Sequence, residues 1–271
     1  MEGPTRHVNL QSLARLYLDS LNKLTFIFTP SLAQSLSKLE GLDIKNCGEL
    51  KHIIREEDGE KEIIPESPGF PKLKTIIIEG CGKLEYVFPV SVSLTLQSLP
   101  QLERLQVSNC GELKHIIREE DGERKIFPQS PCFPELKTLR ISHCGKLEYV
   151  FPVSVSPSFP NLELMTIYNV DNLKQIFYSE EGDALTTDGI IKFPRLRKLE
   201  LFSRSNYSFF GSKNFAAQLP SLQNLCISGH EELGNLSAQF QVCFSNNVFL
   251  FNLNCQLQYM LISSFKFLKL K

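Results

Sequence analysis

One feature limits this chain more than any other: it repeats itself. Residues 47–60 read CGELKHIIREEDGE, and residues 110–123 carry the same fourteen letters. Residues 81–93 read CGKLEYVFPVSVS, as do residues 144–156. The second copy of each lies 63 positions after the first, 47 to 110 and 81 to 144. Identity over such lengths marks a recent tandem duplication. A chain built this way stacks like units and does not wrap a single closed core.

Within the duplicated block a shorter unit recurs, F/L-P-x-L-x-x-L-x-I-x-x-C-x-x-L-x-x-I/V-F/I. Aligned on its first Leu, it occurs at Leu13, Leu39, Leu73, Leu102, Leu136, Leu162, Leu196 and Leu222, with spacings of 26, 34, 29, 34, 26, 34 and 26. The form matches the leucine-rich-repeat signature L-x-x-L-x-L-x-x-N/C-x-L. In Leu136-Lys-Thr-Leu139-Arg-Ile141, Leu139 and Ile141 alternate with outward residues, as a half-buried strand requires. Cys144, Leu147 and Val150 follow at intervals of three and suit a turn winding back through the core. One unit offers too few apolar side chains to offset the entropy of ordering itself, so neighbours must share a buried face. The expected fold is an α/β-type repeat: a leucine-rich-repeat solenoid of about eight units, with a concave parallel β-sheet and a convex side of irregular loops and short helices. Its span is residues 10–238. The apolar stretch 239–271 lacks repeat register and reads as a poor cap or as sequence outside the fold.

The 34-residue spacings arise from hydrophilic insertions, Arg55–Gly69, Arg118–Cys132 and Ser179–Lys192, whose acidic runs REEDGE and SEEGD read as exposed loops. After Leu199-Glu-Leu201 the segment SRSNYSFFGSKNFAAQ lacks the Cys and the following Leu, so the last two units are expected to decay.

Chemistry is hard to find. Cys47, Cys81, Cys110 and Cys144 all stand eight residues after a first Leu, where a small inward group bonds the turn backbone. They read as a structural ladder. No C-x-x-C pair supports zinc, no calcium-loop order surrounds EEDGE, and neither GxxxxGK[ST] nor G-x-S-x-G is present. No cofactor, metal or catalytic role is expected. A net charge of −1 and a pI near 6.5 argue against nucleic acid as partner. No run of eighteen apolar residues predicts a membrane span, and the first residues show no secretory pattern. A reducing, cytoplasmic setting is expected. The sequons at Asn206 and Asn235 then carry no weight.

What remains is surface. Four residues after each first Leu stand Tyr17, Asp43, Ile77, Gln106, Arg140, Thr166, Glu200 and Cys226; two further on stand Asp19, Lys45, Glu79, Ser108, Ser142, Tyr168, Phe202 and Ser228. Varied outward residues on a uniform frame suit recognition of a protein, and Tyr and Arg are common anchors. The candidate partner-binding residues on the concave face are Tyr17, Arg104, Arg140, Tyr168 and Phe202.

The units FPKLKTIIIEGCGKLEYVF, LPQLERLQVSNCGELKHII, FPELKTLRISHCGKLEYVF and FPNLELMTIYNVDNLKQIF resemble the C-terminal repeats of plant intracellular disease resistance proteins, the nucleotide-binding leucine-rich-repeat receptors of the coiled-coil class. The likeness runs from about Leu10 to Leu236. It implies innate-immune recognition of a pathogen effector or a guarded host protein, and contact with a nucleotide-binding module in a longer product. That module and the coiled coil are not found within these residues. A soluble adaptor or enzyme inhibitor, and a non-functional truncated paralogue, are the alternative readings of the same frame.

Overall fold

The computed structural model describes residues 10–55, 70–88, 99–117, 133–152, 159–178, 189–202, 208–210 and 215–228. In chain order the first elements are β1 (Arg15–Asp19), β2 (Phe26–Phe28), α1 (Pro30–Ser35), β3 (Gly41–Lys45), β4 (His52–Ile54), β5 (Thr75–Glu79), β6 (Tyr86–Phe88), β7 (Arg104–Ser108) and β8 (His115–Ile117). Then follow β9 (Thr138–Ser142), β10 (Tyr149–Pro152), β11 (Leu164–Tyr168), β12 (Gln175–Tyr178), β13 (Gly189–Lys192), β14 (Lys198–Phe202), β15 (Ser208–Phe210), β16 (Phe215–Gln218) and β17 (Asn224–Ser228).

All eight units contribute one strand to a single parallel sheet, in the order β1-β3-β5-β7-β9-β11-β14-β17. Every strand begins two residues after its first Leu, and equivalent positions pair throughout. Leu105 stands beside Leu139, and Leu139 beside Met165. All three are fully buried. The register is therefore the one the repeat alignment predicts. A slip of one residue would turn every inward Leu and Ile into water.

The return half of each unit departs from expectation. Irregular loops and short helices were predicted there, yet α1 is the lone helix among the described residues. It starts on Thr29, whose hydroxyl accepts the Leu32 N–H at 3.3 Å, with proline in its first turn. Elsewhere the return segment forms a second set of parallel strands, ordered β15-β12-β10-β8-β6, with β2 pairing β4. Consecutive β-branched and aromatic residues (HII, YVF, QIF) favour strand over helix, and each copy finds a like neighbour to pair with. A correction applies to the insertions too. Residues 56–69, 118–132 and 179–188 lie outside the described residues. The end of the third insertion is strand β13, parallel to β16. The segment expected to decay likewise supplies β15 and β16, because the preceding unit presents an edge whose backbone groups need partners. The tail 239–271 lies outside the described residues.

Phenylalanine fills the interior between the sheets. The residue three before a first Leu (Phe70, Phe133, Phe159, Phe193) meets the residue fifteen after one (Phe28, Phe88, Phe151, Phe177). Ring centroids lie 5.2 Å apart for Phe28–Phe70, 5.8 Å for Phe133–Phe151 and 5.3 Å for Phe151–Phe159. The recurrent FP dipeptide thus accounts for much of a composition with twenty Phe and no Trp.

Charge on the surface complements the stacking of neighbouring units. One residue after the first Leu, the column reads Glu40, Lys74, Glu103, Lys137, Glu163, Arg197; ten after, Glu49, Lys83, Glu112, Lys146. Lys74 pairs with Glu40 at 3.4 Å, Lys137 with Glu103 at 3.0 Å, Lys83 with Glu49 at 2.7 Å and Lys146 with Glu112 at 2.7 Å. Each exposed pair contributes only about 0.2–1 kcal/mol. The alternation matters more, since two units of the same type side by side would set like charges against each other.

Candidate functional site

The site is built on the outward side of the eight-stranded sheet, where a rigid ladder holds side chains at fixed intervals. Its lower border is a row of turns. The residue seven after each first Leu has left-handed backbone in six successive units: Ser20, Asn46, Gly80, Asn109, His143 and Asn169. Among the described residues, Phe70 alone shares that geometry outside the row. Each turn N–H donates to the last carbonyl of the next strand, for example Asn46 to Glu79 at 2.8 Å, Gly80 to Ser108 at 3.0 Å and Asn169 to Phe202 at 2.7 Å. Sequence reading missed this row. Its signal was the residue types themselves, since Asn, Gly, Ser and His replace the β-branched residues that cannot bend this way.

Immediately after the turn come Cys47, Cys81, Cys110 and Cys144, all fully buried and without disulfides. Each thiol donates to the carbonyl two residues before it, at 3.3 Å from Cys47, 3.7 Å from Cys81, 3.3 Å from Cys110 and 3.3 Å from Cys144. The neighbouring Cys144 and Cys81 thiols, together with burial, raise the Cys110 thiol above its ordinary range. Burial also pushes the Cys47 thiol up. Such a row closes turns without offering a nucleophile to solvent.

The five candidate recognition residues all lie on the outward side, but they do not form one cluster. Tyr17, 58% exposed, stands on β1 at one end of the sheet, with Lys45 lying 6.0 Å from its ring. Arg104, Arg140, Tyr168 and Phe202 occupy β7, β9, β11 and β14, which are successive neighbours. At ~4.8 Å per strand, Tyr17 is about 24 Å from Tyr168. The Tyr168 ring meets that of Phe202 edge-on at 5.7 Å and that of His143 at 5.3 Å. Arg104 and Arg140 are exposed, and among the described residues neither has an ion-pair partner.

Glu200 completes this end of the face. Its carboxylate takes a hydrogen bond from Lys198 at 2.8 Å and from the Thr166 hydroxyl at 3.0 Å, and these contacts hold it below the usual carboxylate range against the opposing effect of burial. A depressed folded-state value means that its contribution is full above the unfolded pKa and is lost as pH falls through the lower, folded one. We expect Glu200→Gln to flatten the acid limb of the stability–pH curve, as read by urea unfolding at several pH values. An unchanged acid limb would show that these contacts do not couple to folding.

No helix among the described residues is long and apolar enough to cross a membrane, and they hold no cluster of His, Cys, Asp or Glu suited to a metal ion. No curated protein matches the chain. A family model does, described as "Plant disease resistance protein RPS2-like, leucine-rich repeats", over residues 49–111 and again over 112–247. The two matches begin 63 positions apart, the period of the internal duplication. With most of its length matched and every described unit in repeat register, the chain belongs to the leucine-rich-repeat family of RPS2-like plant disease resistance proteins.

Proposed function

We propose that this chain is a protein-recognition module of plant innate immunity, sensing a pathogen effector or a guarded host protein on the outward face of its eight-stranded sheet, in the cytoplasm and without catalysis of its own. One observation carries the reading. Across the duplication, the segments after the turns are identical letter for letter, but the outward strand residues are not. Gly41, Asp43 and Lys45 correspond to Arg104, Gln106 and Ser108; Ile77 and Glu79 correspond to Arg140 and Ser142. Of these outward positions only Thr75 keeps its identity, as Thr138. Inward residues change conservatively, Ile44 to Val107 and Ile76 to Leu139. Drift alone would not spare one side of the unit and rewrite the other. A surface that diverges on a constant frame is what a binding face needs.

The test compares a triple alanine variant on this face with a double alanine variant away from it. Arg104→Ala, Arg140→Ala and Tyr168→Ala together are expected to weaken capture of the partner from challenged leaf tissue at least tenfold. Lys83→Ala with Lys146→Ala, on the charge ladder away from this face, is expected to leave capture unchanged. Circular dichroism should show both variants folded. Loss of capture with the ladder variant and retention with the triple variant would move the binding site off the sheet.

A further inference from the structure

Resting on that reading, we propose that the face from β7 to β14 takes an extended, acidic segment of its protein partner, with two carboxylates on Arg104 and Arg140 and an apolar or aromatic side chain on Tyr168 and Phe202. Three observations converge on this occupant. The first is uncompensated charge. Between β7 and β14 the outward columns carry Arg104, Arg140 and Lys198 against a single carboxylate, Glu200, which is bonded by Lys198 and Thr166 and feels the charge of Arg140 without forming an ion pair with it, so the cations stay in excess. The other end differs in sign: Asp19, Asp43 and Glu79 stand against Arg15 and Lys45. Burying two unpaired guanidinium groups under a partner is unfavourable unless the partner supplies carboxylates, which guanidinium binds in a two-pronged fashion.

The second is spacing. Arg104, Arg140 and Tyr168 lie two, four and six residues after their first Leu on three successive strands, so they form a diagonal. Each step along it combines one strand spacing with two residues of rise, about 8 Å. Alternate side chains of an extended peptide face the same way at about 7 Å intervals. An acidic-x-acidic-x-aromatic segment therefore meets Arg104, Arg140 and Tyr168 in turn, with no bend in either chain.

The third is the end of the diagonal. Tyr168, 41% exposed, packs edge-on with half-buried Phe202, beside exposed His143, giving an apolar shelf at the sheet surface. Exposed aromatic groups next to unpaired arginines define a mixed requirement that neither a purely ionic nor a purely apolar ligand meets.

Fluorescein-labelled peptides Glu-Ser-Glu-Ser-Phe and Lys-Ser-Lys-Ser-Phe, with a short oligothymidylate as a third probe, are titrated against the full chain by fluorescence anisotropy. The acidic peptide is expected to bind at least tenfold more tightly than the lysine peptide, with an affinity that falls as salt is added. Arg104→Glu with Arg140→Glu should reverse that order; Arg104→Gln with Arg140→Gln should abolish it, should the reversed pair fail to fold. Equal affinity for the two peptides, or no binding of either, overturns the proposal. Tighter binding of oligothymidylate overturns it in favour of a polyphosphate ligand. If both peptides bind equally but Tyr168→Ala removes both, the face is still the recognition surface and only its acidic preference fails. If neither the arginine nor the Tyr168 substitutions alter binding, the recognition reading of this face fails as well.

Discussion

Phe159→Ala is expected to destabilise the chain by about 4 kcal/mol, the middle of the range for buried aromatic truncations. Its ring is fully buried, and it lies 5.3 Å from Phe151, 5.8 Å from Phe177 and 5.5 Å from Phe193, the last nearly parallel at 3°. Those three rings belong to three different units, so removing Phe159 empties a joint between repeats. In a stacked array each unit is stabilised by its neighbours, and a weakened joint uncouples the parts on either side. Urea unfolding should therefore show a lower midpoint together with a broadened or split transition. Phe159→Leu should recover most of the loss, as Leu occupies the equivalent place at Leu99, Leu36 and Leu219. A cost below about 1 kcal/mol for the alanine variant would mean that the rings do not form a continuous packed spine.

The second large effect concerns backbone shape. Gly80 has φ +69°, and a Cβ there would stand 2.8 Å from Asn46 Oδ1. We expect Gly80→Val to cost about 2–3 kcal/mol, because a β-branched residue is strained in the left-handed region and its Cβ collides with the neighbouring turn. Gly80→Asn should cost less. Asn46, Asn109 and Asn169 hold this conformation in other units, and the collision is with a side-chain oxygen. Asn46 would nevertheless have to shift while its Nδ2 donates to Asp19 at 3.0 Å. Thermal unfolding of the two variants reads the difference directly. Equal loss for Val and Asn would show that the collision, not the backbone angle, governs the position.

Much of the architecture was legible before any coordinates. Leu, Ile and Val recur at fixed places because a repeated unit must bury the same face each time, and that constraint is written as periodicity. The alignment on Leu13 through Leu222 gave strand register for the same reason: side chains alternate, so apolar positions mark which residues pair. The buried places of Cys47, Cys81, Cys110 and Cys144 follow from the same frame. The second sheet was not legible, since HII and YVF are as compatible with a short buried turn as with a strand when read alone. Strand pairing there depends on a neighbour 26 to 34 residues away, as with Tyr149 beside Gln175 and His115. The charge ladders were present as letters, yet Lys137 and Glu103 become partners only once the units are stacked.

The same division holds for the proposed recognition surface. Sequence alone decided which residues face outward, because the period-two alternation of a strand leaves no other side for Arg104, Arg140, Tyr168 and Phe202. It also decided that these positions vary in chemistry while the interior changes only between apolar residues. Tertiary structure decided which of them are neighbours. Tyr17 falls at the far end of the sheet and the other four fall together, because proximity across a parallel sheet is set by strand order and register, which couple residues distant in the chain. The partners of Glu200 divide the same way: Lys198 stands two residues before it on one side of the same strand, whereas the Thr166 hydroxyl reaches it only because β11 and β14 pair.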